Sequence, residues 1–209
     1  NIAQFLVETE TRKKREVLRS LLNSEDINTA IIFCNRKTTV CELATSLKQH
    51  RFQAGEIHGD MDQPARLREL ERFKAGEINV LVASDVAARG LDVKGVSHVF
   101  NFDAPWHPDD YVHRIGRTGR AGAKGDAIAL VDESEMKFLV DIEKLTKKTL
   151  VRIPLPDISN VNSSDPFFYM PYQASTKATS DKVAFAVSSP SKRSISPKGL
   201  GALLGGIKK

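Results

Sequence analysis

The sequence predicts an α/β domain with a parallel sheet covered by helices on both faces, followed by a basic tail. Short apolar runs alternate with segments of helical spacing through residues 1–153, which is the pattern of strand–helix–strand units. The apolar runs are continuous, as expected for strands that are buried on both faces. Proline, serine, threonine, lysine and glycine then replace this pattern, so residues 154–209 are predicted to form a flexible, mostly disordered basic tail.

The individual elements are predicted from these runs and spacings. Apolar runs predict strands at residues 30–34, 54–58, 80–83, 96–102 and 127–131. Apolar residues that recur every three or four positions predict helices at residues 12–22, 40–47, 66–73 and 132–145. Asp132 and Glu135 have the spacing of a capping pair for the last helix. Ligands of such sheets bind at the carboxyl ends of the strands, so we expect the site in the loops that follow them.

The cysteine content and the length of the apolar runs argue against several classes of protein. Cys34 and Cys41 have no C-x-x-C spacing, which argues against a zinc site and against a disulfide framework, and favours a reduced, cytoplasmic protein. No apolar run approaches the roughly 20 residues of a membrane span, so no membrane contact is expected. The chain begins at Asn1 without a signal peptide or an initiator Met, and we expect a monomeric piece of a longer protein.

The net charge of +5 is unevenly distributed. Residues 1–153 contain 24 Lys and Arg against 23 Asp and Glu, whereas residues 154–209 contain 7 against 3. Nucleic-acid contacts in the folded part must therefore come from the local placement of cations, and the tail is the more strongly basic region.

The most informative stretch is Y-V-H-R-I-G-R-T-G-R-A-G, residues 111–122. Arg114, Arg117 and Arg120 are three residues apart, with glycines between them, and glycine disfavours a continuous helix. We therefore predict a helix over residues 111–114 that breaks into a turn. The planar donors of arginine fit phosphate oxygens in pairs, which favours a phosphate site. A solvated basic loop is the alternative.

H-R-I-G-R-T-G-R within this stretch resembles the last motif of the DEAD-box RNA helicases, which lies in the second of their two RecA-like domains. The sequence is similar to that of the bacterial RNA helicase E group. The resemblance implies a RecA-like helicase C-terminal domain over residues 1–153. It also implies that Arg117 and Arg120 are catalytic arginine fingers on the γ-phosphate of ATP. His113 and Arg114 are expected at the interface between the two domains, where Arg114 would also brace the loop.

V-A-S-D-V-A-A-R-G-L-D, residues 82–92, carries a second part of the resemblance. Small residues at a strand-to-helix turn permit close approach of a ligand to the backbone. The resemblance implies that Ser84 contacts an RNA phosphate and that Asp92, with Gly90, binds the nucleotide ribose. Asp85 and Arg89 are expected at the domain interface. A salt-bridged loop is the alternative.

Two further segments resemble RNA-backbone motifs of the same family. In H-G-D-M-D-Q-P-A-R, residues 58–66, the resemblance implies RNA contacts by Gly59, Gln63 and Arg66. The same residues are also typical of an ordinary helix N-terminus, with an aspartate as N-cap and a proline in the first turn. Asn35 and Arg36, directly after a predicted strand, are similar to the fourth motif and are expected to bind RNA.

The missing motifs define the expected function. Neither a G-x-x-x-x-G-K-[ST] phosphate loop nor D-E-A-D occurs in the chain. The resemblance therefore implies the second half of an ATP-dependent RNA helicase, inactive alone, whose absent N-terminal RecA-like domain holds most of ATP and the Mg²⁺ ion. RNA and that domain are the expected partners. Two alternatives stay open: a non-catalytic RNA-binding module driven by the basic tail, and half of a DNA-acting superfamily-2 helicase.

Overall fold

The computed structural model describes residues 2–23, 27–89, 93, 95–119 and 124–156. The strands are β1 (Ile2–Glu8), β2 (Ala30–Cys34), β3 (Ala54–Ile57), β4 (Val80–Ser84), β5 (His98–Asn101), β6 (Gly125–Val131) and β7 (Val151–Arg152). The α-helices are α1 (Lys14–Leu22), α2 (Lys37–Gln49), α3 (Gln63–Lys74), α4 (Asp85–Ala88), α5 (Pro108–Ile115) and α6 (Met136–Thr146). Two short 3-10 helices, Thr11–Lys13 and Glu133–Glu135, lead into α1 and α6.

The strands form one parallel sheet in the order β3-β4-β2-β5-β6-β1-β7. All five residues of β2 are buried, and neighbouring residues of β2 belong to different cores. Ile32 packs in the core that contains residues of α1 and α2. Ile31 and Phe33 pack in the core that contains residues of α3 and α4, while α5 and α6 share a third core with β1 and β6. The predicted α/β fold class is therefore confirmed.

The edge region of the sheet differs from the prediction, because β1 and β7 were not predicted. In β1 only Phe5, Leu6 and Val7 are buried in succession, between more exposed residues on either side. Both residues of β7 are exposed. Neither strand has the long apolar run that marks the central strands, and both are formed because β6 provides a backbone ladder for β1, which in turn pairs with β7. Residues beyond 156, which include the predicted tail, lie outside the described part of the chain.

Local capping explains where two helices begin. The Asp62 carboxylate accepts a hydrogen bond from the Ala65 backbone N–H at 2.8 Å, so α3 starts three residues before the predicted position. The predicted pair of Asp132 and Glu135 forms a capping box at the 3-10 turn before α6, and this prediction is confirmed.

The ends of the parallel strands define two edges of the sheet. The loops after β2, β3, β4 and β5 lie at one edge, called here the carboxyl edge. Helix α5 leads back from this edge, and the turn after it contacts the segment that precedes β5: the Gly95 N–H donates to the Arg117 carbonyl at 2.9 Å. Thr118 forms a parallel bridge with Val96. The described turn after α5 therefore passes beside the segment that leads into β5.

Candidate functional site

Arg114 is the centre of a buried polar cluster, called here the Arg114 cluster, which also contains Asn35, Asp85, Asn101 and Asp103. The guanidinium donates two bonds to the Asp85 carboxylate, at 2.7 and 2.6 Å. It also donates to Asn101 Oδ1 at 3.2 Å, to the Asp103 carbonyl at 2.8 Å and to Asn35 Oδ1 at 2.7 Å. These contacts use all five N–H donors that arginine has.

Burial limits what Arg114 can contact. The residue is 1% exposed and its guanidinium lies over the Phe33 ring, 5.4 Å from the ring centroid. With every donor used, Arg114 joins the loops after β2, β4 and β5 from inside the domain. This arrangement agrees with the bracing role expected of it, and a direct contact with a second domain stays a prediction.

Asn35 is held within the Arg114 cluster by both ends of its side chain. Its Oδ1 accepts from Arg114, and its Nδ2 donates to the Ala104 carbonyl at 2.8 Å. Its backbone N–H donates to the Asp103 carboxylate at 2.9 Å. Arg36, the next residue, is exposed. At the end of β2, Arg36 is therefore the side chain that is open to a ligand, while the Asn35 amide is engaged inside the domain.

The loops after β3 and β4 bring four further predicted RNA-binding residues to the carboxyl edge. Gln63, the first residue of α3, is exposed, and Arg66 donates to the Ala87 carbonyl at 2.8 Å. Ser84 is 8% exposed at the end of β4, and its side chain does not cap α4. Gly59 is exposed, and a Cβ atom built there would meet nothing within 4 Å. Contacts within the domain therefore do not require glycine at position 59.

Arg117 lies in the turn that follows α5. Its Nη2 donates to the Ala88 carbonyl at 3.2 Å, and Gly119 in the same turn has φ +64°, a left-handed conformation that glycine adopts without strain. The predicted break after residues 111–114 is confirmed by the end of α5 at Ile115. Arg120, Gly90 and Asp92, which complete the predicted nucleotide site, lie outside the described residues.

A shallow depression between α4 and α5 gathers the residues predicted for the domain interface. Its polar lining consists of Asp85, Arg89, Asp110, His113, Arg114 and Arg117. Arg89 donates to the Asp110 carboxylate at 2.6 Å, and His113 is exposed. The depression thus presents the exposed side chains of Arg89 and His113 beside the turn that carries Arg117.

Helix α4 receives an arginine from each side, which the sequence did not reveal. The carbonyls of Ala87 and Ala88, adjacent in the chain, accept from Arg66 and Arg117 respectively. The C-terminal end of a helix leaves carbonyls without intrahelical partners, and cations satisfy them. The four-residue helix α4 therefore lies between the predicted RNA face and the predicted nucleotide face.

Lys14 is the centre of a second buried cluster, the Lys14 cluster, with Phe102, Asp132 and Glu135. Lys14 is 2% exposed; it pairs closely with Glu135, lies 3.6 Å from Asp132 and donates to the Phe102 carbonyl at 3.1 Å. Glu135 in turn accepts from the Ala104 N–H at 3.0 Å. The sequence shows Lys14 only as part of a basic R-K-K-R run, so its burial was missed.

Burial and hydrogen bonding act differently on the two carboxylates of the Lys14 cluster. Burial raises the pKa of Glu135, and the ammonium of Lys14 opposes this shift without cancelling it. Burial also acts to raise the pKa of Asp132, but hydrogen bonds from Ser134 and Thr11, together with Lys14, lower it overall. Both directions follow from the general effects of desolvation and of donors that face a carboxylate.

Two other features are absent from the described part of the chain. No group of three or more His, Cys, Asp or Glu side chains there is arranged to hold a metal ion. Among the same residues, no helix has the length and apolar character needed to cross a membrane.

Comparison with known proteins gives the family. Residues 13–122 match the family model of the helicase conserved C-terminal domain. The chain is 48% identical over 158 residues to the DEAD-box ATP-dependent RNA helicase CshA of Bacillus cereus, an alignment that covers 76% of this chain and 30% of CshA. The chain therefore spans about a third of the length of the curated relatives it matches.

Solved structures agree with this match. E. coli DEAD-box protein SrmB, solved with the regulator of ribonuclease activity A, superposes with a TM-score of 0.68 at 37% identity, covering 73% of this chain and 89% of that chain. S. cerevisiae Dbp5 L327V, solved with RNA and ADP BeF3, gives 0.68 at 34% identity and covers 75% of this chain and 42% of that chain. The chain belongs to the helicase conserved C-terminal domain family, in its DEAD-box group.

Proposed function

We propose that this chain is the second half of an ATP-dependent RNA helicase and binds the RNA backbone along its carboxyl edge. The observation that carries the proposal is that β3, β4 and β2 are neighbours in the sheet and end in the residues of the three RNA motifs. Adjacent strands lie about 4.8 Å apart, so these loops form one continuous surface. Arg36, Gly59, Gln63, Arg66 and Ser84 are proposed to contact RNA directly, and Asn35 is proposed to hold the loop that carries Arg36.

The chemistry of this edge suits a phosphate backbone. Arg36 and Arg66 supply cations, Gln63 and Ser84 supply neutral donors, and backbone contacts of this kind position a strand without reading its sequence. Gly59 has no packing reason to lack a side chain, which supports close passage of the RNA backbone at this point.

ATP would bind between this chain and a preceding N-terminal RecA-like domain, which would hold Mg²⁺ and most of the triphosphate. In this proposal Arg117 and Arg120 neutralise the charge that develops on the transferred γ-phosphate, and Asp92 with Gly90 contacts the ribose. Arg117 would leave the Ala88 carbonyl to reach the phosphate. His113, Asp85 and Arg89 would face the partner domain, and the chain alone would not turn over ATP.

The proposed RNA face is tested by Arg66→Ala. Loss of one phosphate contact is expected to weaken binding of labelled single-stranded RNA and to reduce the slope of log K against log salt by about 0.7. The measurement is fluorescence anisotropy at several salt concentrations. Arg72→Ala is the matched control, because Arg72 lies on the same helix and is paired with Glu69 at 2.7 Å on an exposed surface.

The outcome separates this proposal from binding by the basic tail. If residues 154–209 supply the affinity, the Arg66→Ala and Arg72→Ala variants will bind RNA equally. Equal binding of matched single-stranded RNA and DNA by the unmodified chain would instead favour a DNA-acting helicase, since ribose hydroxyls would then make no contribution.

A further inference from the structure

Trp106 is an exposed aromatic residue at the carboxyl edge. It lies between β5 and α5 and is 55% exposed. Within the described part of the chain, its indole makes no hydrogen bond and no ring contact. Tryptophan is large and mostly apolar, and its flat indole offers a face on which a planar group can stack. It is also the one tryptophan in the sequence.

The backbone that carries Trp106 is held on both sides. The Ala104 N–H donates to Glu135 at 3.0 Å, and the Ala104 carbonyl accepts from Asn35 at 2.8 Å. Pro105 is buried, and Pro108 begins α5. Two prolines and two side-chain hydrogen bonds limit the motion of this short segment, and a preorganised side chain loses less conformational entropy when it binds.

The position of Trp106 extends the proposed RNA surface by one strand. The sheet order β3-β4-β2-β5 places the loop after β5 directly beside the loop after β2. The bond from Asn35 to Ala104 joins these two loops two residues before Trp106. Arg36 is exposed on the neighbouring loop, where it can hold a phosphate.

We propose that Trp106 stacks on a base of the single-stranded RNA whose backbone is bound by the neighbouring loops; this inference rests on the proposed function. The charges around Trp106 favour a base at this point and not a phosphate. Asp103 is partly exposed in the same loop and Asp109 is exposed in the first turn of α5, and both repel phosphate. The face of an indole accepts any base, so the contact adds affinity without sequence preference.

The single tryptophan makes the contact directly measurable. The 209-residue chain is titrated with labelled oligouridylate of about 12 nucleotides, and tryptophan emission and RNA anisotropy are recorded in the same samples. We expect emission to be quenched along the same saturation curve as the anisotropy. An abasic ribose-phosphate chain of equal length is expected to bind more weakly and to leave the emission unchanged.

Three variants distinguish an effect of aromatic stacking from a general effect of removing an exposed apolar side chain. Trp106→Ala is expected to weaken oligouridylate binding about tenfold, whereas Trp106→Phe retains most of the affinity because it keeps an aromatic face. Val112→Ala is the control: Val112 is 45% exposed on α5, and its truncation should leave RNA affinity unchanged.

Other results would overturn the assignment. RNA binding without a change in emission would remove Trp106 from the RNA surface and leave the proposed function intact. Emission that changes with protein concentration in the absence of RNA would assign Trp106 to self-association. If neither oligonucleotide bound, the RNA surface and the stacking contact would both be contradicted.

Discussion

Arg114 and Arg117 are three residues apart in the same motif, and the structure gives them different environments. Arg114 is 1% exposed and uses all five donors inside the domain. Arg117 is partly exposed in the turn after α5 and donates to the Ala88 carbonyl at the long distance of 3.2 Å. Arginines of one motif can therefore differ in burial, one fully enclosed by the domain and the other partly exposed at its surface.

The largest effect is expected for Arg117→Lys in a protein that joins this chain to the N-terminal RecA-like domain proposed above. Lysine keeps the charge but lacks the planar pair of donors, so ATP turnover should fall by roughly 10³ to 10⁵, while the free energy of unfolding stays close to that of the unmodified protein. A steady-state ATPase assay with saturating RNA measures the loss. Arg12→Lys, at an exposed ion pair with Glu10, is the control. Undiminished turnover in Arg117→Lys would show that Arg117 is not a finger.

Arg114→Lys, in contrast, should mainly lower the stability of the domain. Lysine has three donors on one atom and cannot reach the loops after β2, β4 and β5 together, and the Asp85 carboxylate loses its bidentate partner. We expect the free energy of unfolding to fall by about 3 to 5 kcal/mol, as for other broken buried ion pairs, measured by urea titration of the 209-residue chain. Arg89→Lys, at an exposed pair, should change it by less than about 1 kcal/mol. Similar losses in the two variants would contradict the bracing role.

The smallest effect concerns the Lys14 cluster, which also holds the loop after β5, through the Phe102 carbonyl and the Ala104 N–H. Because burial raises the pKa of Glu135, the folded chain binds this proton more tightly than the unfolded chain does. The resulting stabilisation is fully present below the ordinary pKa of about 4.5 and is lost as pH rises through the folded pKa. The stability of the unmodified chain relative to Glu135→Gln should therefore decrease as pH rises above 4.5.

Urea titrations of the two chains at several pH values measure this difference. The lowered pKa of Asp132 affects stability only below its ordinary value of 3.8, outside that range. Asp141→Asn, at an exposed carboxylate, is the control for the loss of one acidic side chain. A parallel pH dependence in Glu135→Gln and the unmodified chain would show that Glu135 does not titrate as its burial implies.

Apolar periodicity predicted the central strands and the helices α1, α2, α3 and α6, because it reflects which residues are buried. It placed β2 at residues 30–34 without error and located the loops that follow β2, β3 and β4. It did not predict the short helix α4 or the start of α5. It failed for β1 and β7, where pairing with a neighbouring strand substitutes for a long apolar run.

The roles of individual cations were less predictable, because their partners are distant in the sequence. Arg114 binds Asp85, 29 residues away, and Asn35, 79 residues away. Lys14 binds Glu135, 121 residues away. A motif identifies a cationic residue in the sequence. Whether its donors face a loop of the same domain or a ligand depends on how the elements pack around the sheet.

The two outer strands of the sheet have a consequence for solubility. β3, at one edge, has four residues and leaves few backbone groups unpaired. At the other edge, β7 pairs with Phe5 and Leu6 of β1, the buried middle of that strand. Long, flat edges invite pairing with strands of other molecules, and short edges limit it. In the described part of the chain, the β3 edge is therefore a short template for intermolecular strand addition.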